Sequence, residues 1–155
     1  MALEINDLLG ADEQRMSKAS GCKVEFQGKR YELKPETLPD NFKNTLKRAT
    51  VNTYYIVFKF TVISETGHKH QVIIRTLPKS DLSGPVQVFC DCADFKFRCA
   101  YTLNNNQALF RSPATDAKLG EAITTPPKKP GQLSLCKHLL AVITELTSNL
   151  TYYLG

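Results

Sequence analysis

Two stretches of this 155-residue chain, Val86-Gln-Val-Phe-Cys-Asp-Cys92 and Cys136-Lys-His-Leu-Leu-Ala-Val-Ile143, decide the architecture that we expect. The first stretch alternates apolar and other side chains as a strand does, and it ends in a Cys-x-Cys pair. The second has apolar residues at helical spacing and begins with a Cys-x-His pair. The sequence therefore predicts that a strand end and a helix start bring three thiols and one imidazole together.

Three cysteines and one histidine are a ligand set for zinc. Zinc binds sulfur and nitrogen tetrahedrally, and a closed Cys3His shell is typical of structural sites, whereas catalytic sites keep one position open for water. Residues two apart on a strand share a face, and the free N–H groups and dipole of a helix start favour a thiolate there. The predicted ligands of one structural Zn²⁺ are Cys90, Cys92, Cys136 and His138.

Cys99 leaves an alternative open. Together with the Cys-x-Cys pair it could supply three ligands, with either Cys136 or His138 as the fourth. We favour Cys136 and His138 together, because Cys-x-His at a helix start is a paired feature. A lone cysteine is most often a small buried hydrophobe, and we interpret both Cys99 and Cys22 in this way.

The order C-x-C followed by C-x-H resembles the SWIM zinc-finger family, in which a β-hairpin carries the first pair and the following helix carries the second. The match covers about residues 86–150, and 43 residues separate Cys92 from Cys136, more than is usual in that family. The resemblance implies zinc binding and a module that binds nucleic acid or protein.

A second resemblance rests on residues 90–98 and 135–139, with Pro126-Pro127 between them. These stretches are similar to small SWIM-like proteins of large tailed bacteriophages. That similarity implies a virion structural protein, assembled in the host cytoplasm, whose partners are other protein subunits of a large assembly.

Catalysis is not expected of this chain. Cys136 and His138 could be imagined as a nucleophile and base, but side chains two apart on a helix point in different directions. The glycine patterns that cradle phosphates are also absent from the sequence.

Length and composition predict one soluble domain. A chain of this size can bury around two thirds of its unfolded surface, and no run approaches the roughly 18 apolar residues of a membrane span. The cysteine count of five is odd and residues 1–20 are acidic without a continuous apolar run, so we expect a reducing compartment such as the cytoplasm. We assign residues 1–20 to an arm or short helix and 21–155 to a single α+β domain.

Positive charge is concentrated in residues 21–60, where eight basic and four acidic side chains give +4 of the net charge of +5. A helix is predicted over residues 41–49, with Lys43, Lys47 and Arg48 on its outer surface. These three residues are candidates for contact with nucleic-acid phosphates. A solvated basic face is the simpler interpretation.

The strand pattern predicts an N-terminal hairpin over residues 22–34 that turns at Gly28, followed by a three-strand meander over 53–64, 68–77 and 86–90. The C-terminal helix packs on this sheet, with Ser134 as its N-cap. Residues 104–133 are expected to form a long inserted loop because they are polar and rich in proline.

Aromatic and histidine side chains on the meander offer two further functions. Tyr54, Tyr55, Phe58 and Phe60 could stack on single-stranded nucleic acid, although strands this apolar are normally buried. His68 and His70 share a strand face and could bind metal. We expect the aromatic residues to form core and the histidines to lie exposed in a turn.

Overall fold

A four-stranded antiparallel sheet, ordered β1-β2-β3-β4, forms the centre of the computed structural model. The structure describes residues 3–9, 16–33, 54–77, 84–128 and 132–154. Helices pack against this sheet, so the α+β prediction is confirmed. The helix predicted over residues 41–49 lies outside the described residues.

Strands β2 (Tyr54–Ile63), β3 (Lys69–Thr76) and β4 (Val86–Cys90) form the predicted meander. A tight turn joins the first two: the Gly67 N–H donates to the Ser64 carbonyl at 2.8 Å, and Gly67 has φ +88°. Strand β3 pairs with β4 in a register that sets Val72 opposite Cys90. This register places the Cys-x-Cys pair at the end of the sheet.

The predicted N-terminal hairpin is wrong. Residues Lys23–Leu33 form one continuous strand, β1, which pairs antiparallel with β2 along its length. The register shifts between Phe26, opposite Phe60, and Gly28, opposite Lys59. Gly28 has φ +116°, so the glycine that suggested a turn forms a β-bulge instead.

One helix, α5 (Lys137–Ser148), contacts all four strands. Its buried residues include the apolar side chains of the stretch quoted above, Leu139, Leu140, Val142 and Ile143. Two short N-terminal helices, α1 (Ile5–Leu9) and α2 (Met16–Ala19), contact α5, and Ile5 and Leu8 are buried in the same core. The C-terminal helix α6 (Leu150–Leu154) sets the Tyr153 ring edge-on against Phe60, at 5.5 Å between centroids.

The segment after the Cys-x-Cys pair covers the other face of the sheet, where Phe89 meets Phe95 at 5.9 Å between ring centroids. A π-helical turn (Phe95–Cys99) leads into α3 (Ala100–Asn105), and Val88 bonds to the Ala108 carbonyl and the Phe110 N–H. The π-turn explains why the aromatic residues of this stretch follow no clean helical period.

Residues 104–133 differ from the predicted loop because they contain α4 (Pro113–Leu119) and a 3-10 turn (Gly120–Ile123). Ser112 caps α4 by accepting from the Thr115 N–H, while the Thr115 hydroxyl accepts from the Ser112 N–H. Pro113 occupies the first helical turn, where its missing N–H costs nothing. Polar and proline-rich composition here marks helix ends, not an absence of helices.

Candidate metal centre

The Cys-x-Cys pair follows directly from the end of β4. Cys90 is the last residue of the strand, and the Asp91 N–H donates to the Gln71 carbonyl at 3.2 Å, which extends the pairing by one residue. The chain then turns at Cys92, whose sulfur accepts a hydrogen bond from the Phe95 N–H at 3.3 Å. The bond at Asp91 thus fixes the backbone next to Cys90, and the Phe95 N–H fixes the sulfur of Cys92.

The Cys-x-His pair begins helix α5. Cys136 is the N-cap, with extended backbone at φ −76° and ψ 161°, and its carbonyl accepts from the Leu140 N–H. The prediction of Ser134 as the N-cap is wrong. Its hydroxyl turns instead toward the Arg98 carbonyl and the sulfur of Cys99, at 3.5 and 3.8 Å.

Arg98 links the segment that carries the Cys-x-Cys pair to the segment that carries the Cys-x-His pair, the two halves of the centre. Sequence reasoning missed this role. Its guanidinium donates to both carboxylate oxygens of Asp94, at 2.8 Å each, and to the Leu135 carbonyl at 2.7 Å. Asp94 follows the Cys-x-Cys pair and Leu135 precedes the Cys-x-His pair. The bridge therefore fixes the approach of one ligand pair to the other.

The four predicted ligands meet in one cluster. One ligand atom from each of Cys90, Cys92, Cys136 and His138 lies within 4.8 Å of the other three, and each of these residues is at most 4% exposed. The Cys90 sulfur and His138 Nδ1 are 3.8 Å apart. A tetrahedron with Zn–S of about 2.3 Å and Zn–N of about 2.0 Å has edges of roughly 3.5–3.8 Å, so the donors fit a zinc ion after a small contraction.

The three thiols of the cluster differ in acidity. Burial raises the pKa of Cys90 and of Cys136 well above the usual value of a thiol. Hydrogen bonds from Cys136 and then from Cys90 hold the pKa of Cys92 far below it. Cys92 is therefore the most acidic thiol of the cluster.

Cys99 lies outside this cluster. Its thiol donates to the Asp94 carbonyl at 3.9 Å, and burial raises its pKa to about 12. Cys22 is also outside the cluster, with its thiol directed at the Lys18 carbonyl at 3.8 Å. Within the described residues, the structure favours the paired ligand set and assigns Cys99 to packing between the π-turn and Ser134.

The two strand histidines have different surroundings. His68 Nδ1 lies 2.9 Å from the Thr66 hydroxyl in the turn. The ring of His70 lies against the ring of His138, at 4.2 Å between centroids, and its Nδ1 is 3.2 Å from Asp91 Oδ1. Both histidines were expected to be exposed in the turn, and His70 instead packs beside the cluster. His70 pairs with Val62, which is fully buried, so the two side chains lie on the same face of the sheet. This pairing is the signal that could have located His70.

The aromatic candidates of β2 that the structure describes at full burial lie in the core, apart from the centre. Phe58 and Phe60 are fully buried, as expected of core residues, so they offer no stacking surface. Lys43, Lys47 and Arg48 lie outside the described residues. Across the residues that the structure describes, we found no helix long and apolar enough to cross a membrane.

Comparisons of this chain with protein-family models, with curated proteins and with solved structures found no match. The donor chemistry and the geometry of the four side chains therefore carry the description of this site. It is a buried Cys3His group, at the junction of a strand end and a helix start, that could hold a metal ion.

Proposed function

We propose that Cys90, Cys92, Cys136 and His138 hold one structural Zn²⁺, and that the chain is a non-enzymatic structural protein that works through contacts with other protein subunits. The burial of all four donors at one point carries this proposal. A catalytic zinc site keeps a position open for water, whereas a structural site is closed by protein ligands. Four buried donors of the types that zinc prefers match the closed kind.

The burial of the cluster supports a non-enzymatic role, because a substrate could not reach its side chains. Cys90 and His138 Nδ1 are close enough to suggest a thiol and base, at 3.8 Å. Cys90 is fully buried, however, and a substrate must reach a nucleophile to react with it.

A place in a bacteriophage virion is the finer part of the proposal. Its support is the sequence similarity of residues 90–98 and 135–139 to small SWIM-like phage proteins. In such a particle, zinc would join the strand end to the helix and keep the outer surfaces in fixed positions for neighbouring subunits. Assembly in the host cytoplasm is consistent with thiols that must stay reduced to bind metal.

Native mass spectrometry under reducing conditions tests the metal and the subunit count in one spectrum. We expect one zinc per wild-type chain and loss of that zinc in Cys92→Ala and in His138→Ala. Cys22→Ala and Cys99→Ala are matched controls, because both remove a thiol outside the cluster, and they should retain zinc. Full zinc in both ligand variants, or none in the wild type with metal supplied, would overturn the zinc assignment.

A groove on the outer surface favours a second candidate function, binding of single-stranded nucleic acid. The groove has a volume of 630 Å³ and is lined by Lys96, Phe97, Lys118, Pro127 and Lys128, among others. Phe97 is 67% exposed, and the Lys96 ammonium is 5.1 Å from its ring centroid. Exposed rings stack on bases and nearby cations contact phosphates.

Binding of a fluorescent oligothymidine at several salt concentrations tests this second function. Three phosphate contacts predict a slope of about −2 for log affinity against log salt. Phe97→Ala and Lys118→Glu should weaken binding, while Lys69→Glu, an exposed lysine that does not line the groove, should not. If a Lys43/Lys47/Arg48 triple alanine variant alone weakens binding, the basic helix predicted from sequence is the contact surface instead.

A further inference from the structure

The ring of His138 is oriented toward the cluster without a hydrogen bond from a described residue to its second nitrogen. Its Nδ1 faces the thiols, while its Nε2 is buried without a hydrogen-bond partner among the described residues. A histidine that binds metal almost always donates its second N–H to a carboxylate, carbonyl or water, and this bond fixes the ring. No described residue supplies this bond to Nε2, so the contact that can orient the ring of His138 is its packing against a neighbouring side chain.

The ring of His70 is in place to do so. It packs on His138 at 4.2 Å between centroids, with 38° between the ring planes. Its own position is fixed because its Nδ1 lies 3.2 Å from Asp91 Oδ1. Packed rings attract each other beyond the effect of burial alone, so this contact favours one orientation of the His138 ring.

Asp91 is the residue between the two cysteines of the Cys-x-Cys pair. Its Oδ1 also accepts from the Gln71 N–H at 3.0 Å, and its own N–H donates to the Gln71 carbonyl at 3.2 Å. Three contacts thus anchor the short turn that presents Cys90 and Cys92. The same carboxylate oxygen holds His70, so one residue is linked to both halves of the centre.

We infer that His70 and Asp91 are positioning residues for the metal: Asp91 fixes the Cys-x-Cys turn, His70 fixes the ring of His138, and their mutual bond sets the two halves at metal-binding separation. The inference rests on the proposed zinc site. His70 is not assigned as a ligand, because the cluster of four donors forms without it and its Nδ1 is directed at Asp91.

Zinc affinity of His70→Ala, measured by competition with a chromophoric chelator at one fixed pH, tests the inference. Loss of an outer contact of this kind typically weakens metal binding 10–100-fold, and we expect that range. His70→Phe keeps the stacking ring and should recover part of the affinity. Asp91→Asn keeps an acceptor oxygen and should bind more tightly than Asp91→Ala.

His68→Ala is the matched control. It removes a histidine two residues away that contacts Thr66, not His138, so its affinity should equal that of the wild type. Cobalt replacing zinc gives a visible absorption band that reports ligand geometry, and we expect this band to change in His70→Ala but not in His68→Ala. Circular dichroism of the metal-free variants should match that of the wild type, which separates loss of positioning from loss of folding.

The outcomes separate the two claims. If the wild type binds zinc tightly and His70→Ala binds it equally tightly with the same cobalt spectrum, His70 does not position the ligand and only this inference fails. If the wild type binds no zinc, the proposed function fails and this inference fails with it.

Discussion

Each thiol of the cluster meets a different environment, and this difference sets the number of protons that a metal must displace. Burial raises the pKa of Cys90 and Cys136, so both are protonated at neutral pH. Hydrogen bonds from those two thiols hold the pKa of Cys92 low, which favours its thiolate form. Because metals bind the thiolate form, zinc should displace two thiol protons and not three.

Zinc affinity should therefore rise with pH, by roughly 100-fold per pH unit near neutrality for two displaced protons. Calorimetric titration with zinc in two buffers of different ionisation enthalpy measures the proton count directly. We expect about two protons per zinc. A count of three would show that Cys92 is also protonated before metal binds.

Cys99 and Cys22 should differ in reactivity. Burial raises the pKa of Cys99 to about 12, so very little of it is thiolate at neutral pH. Cys22 is also held above its usual pKa by burial, but its side chain is partly exposed. Iodoacetamide should modify Cys22 well before Cys99 in the folded protein, as measured by peptide mass spectrometry.

Labelling in denaturant is the control for this comparison, because both cysteines should then react at similar rates. Equal rates in the folded protein would mean that Cys99 is accessible and would contradict its assignment as a packing residue.

Among the elements, β1 depends most on a single residue. Gly28 has φ +116° in the β-bulge, a conformation that strains any residue with a Cβ. Gly28→Ala should lower the free energy of unfolding by about 1–3 kcal/mol. Among the described residues nothing lies within 4 Å of the new Cβ, so the cost belongs to the backbone and not to a clash.

Urea unfolding measures this difference, with Gly21→Ala as the control. The backbone of Gly21 lies outside the left-handed region. Its Cβ would meet the end of the flexible Glu65 side chain at 3.0 Å and the Lys18 carbonyl at 3.6 Å, an ordinary van der Waals contact. A change of about 0.5 kcal/mol or less is expected there. Equal losses in the two variants would contradict a special role for the bulge.

Sequence patterns identified the elements whose periodicity is regular. Alternation located β2, β3 and β4, and apolar spacing located α5. Two wrong predictions, the hairpin and the N-cap, have local causes. Gly28 has a positive φ, as many turn glycines do, but it lies in a β-bulge. Ser134 has a side chain typical of an N-cap, but its hydroxyl bonds to the Arg98 carbonyl. Helix α4 was missed although Ser112 and Pro113 are start signals, because the polar stretch around them was interpreted as one loop.

The candidate ligands were predictable because zinc ligands repeat a short local spacing. The contacts around them were not, since they join residues distant in sequence. Arg98 meets Leu135, and His70 meets His138, only through the tertiary arrangement of strand and helix. Spacing thus identifies donors, while the register of the sheet decides what surrounds them.

On the scale of the whole molecule, the core extends well beyond the metal centre. Phe58, Phe60 and Ile74 are fully buried between the sheet and its helices, as are many other apolar residues. A core of this extent can hold the sheet without metal. If zinc binds as proposed, its removal should therefore loosen the junction of β4 and α5 and leave β2 and β3 folded.

Hydrogen exchange followed by mass spectrometry, with and without a chelator, measures this pattern. We expect faster exchange in residues 90–95 and 135–143 after metal removal, and unchanged protection in Tyr54–Ile63. Loss of protection in that strand would mean that the whole fold requires the metal. An unchanged pattern throughout would mean that the metal does not brace the junction.

The separation of the two ligand pairs also has a consequence for biosynthesis. The ribosome makes Cys90 and Cys92 before the 43 residues that precede Cys136. At about 5–20 residues per second, this delay lasts roughly 2–9 s. During that interval Cys90 and Cys92 are present without Cys136 and His138, so the proposed metal site can close only if both thiols stay reduced until the second pair emerges.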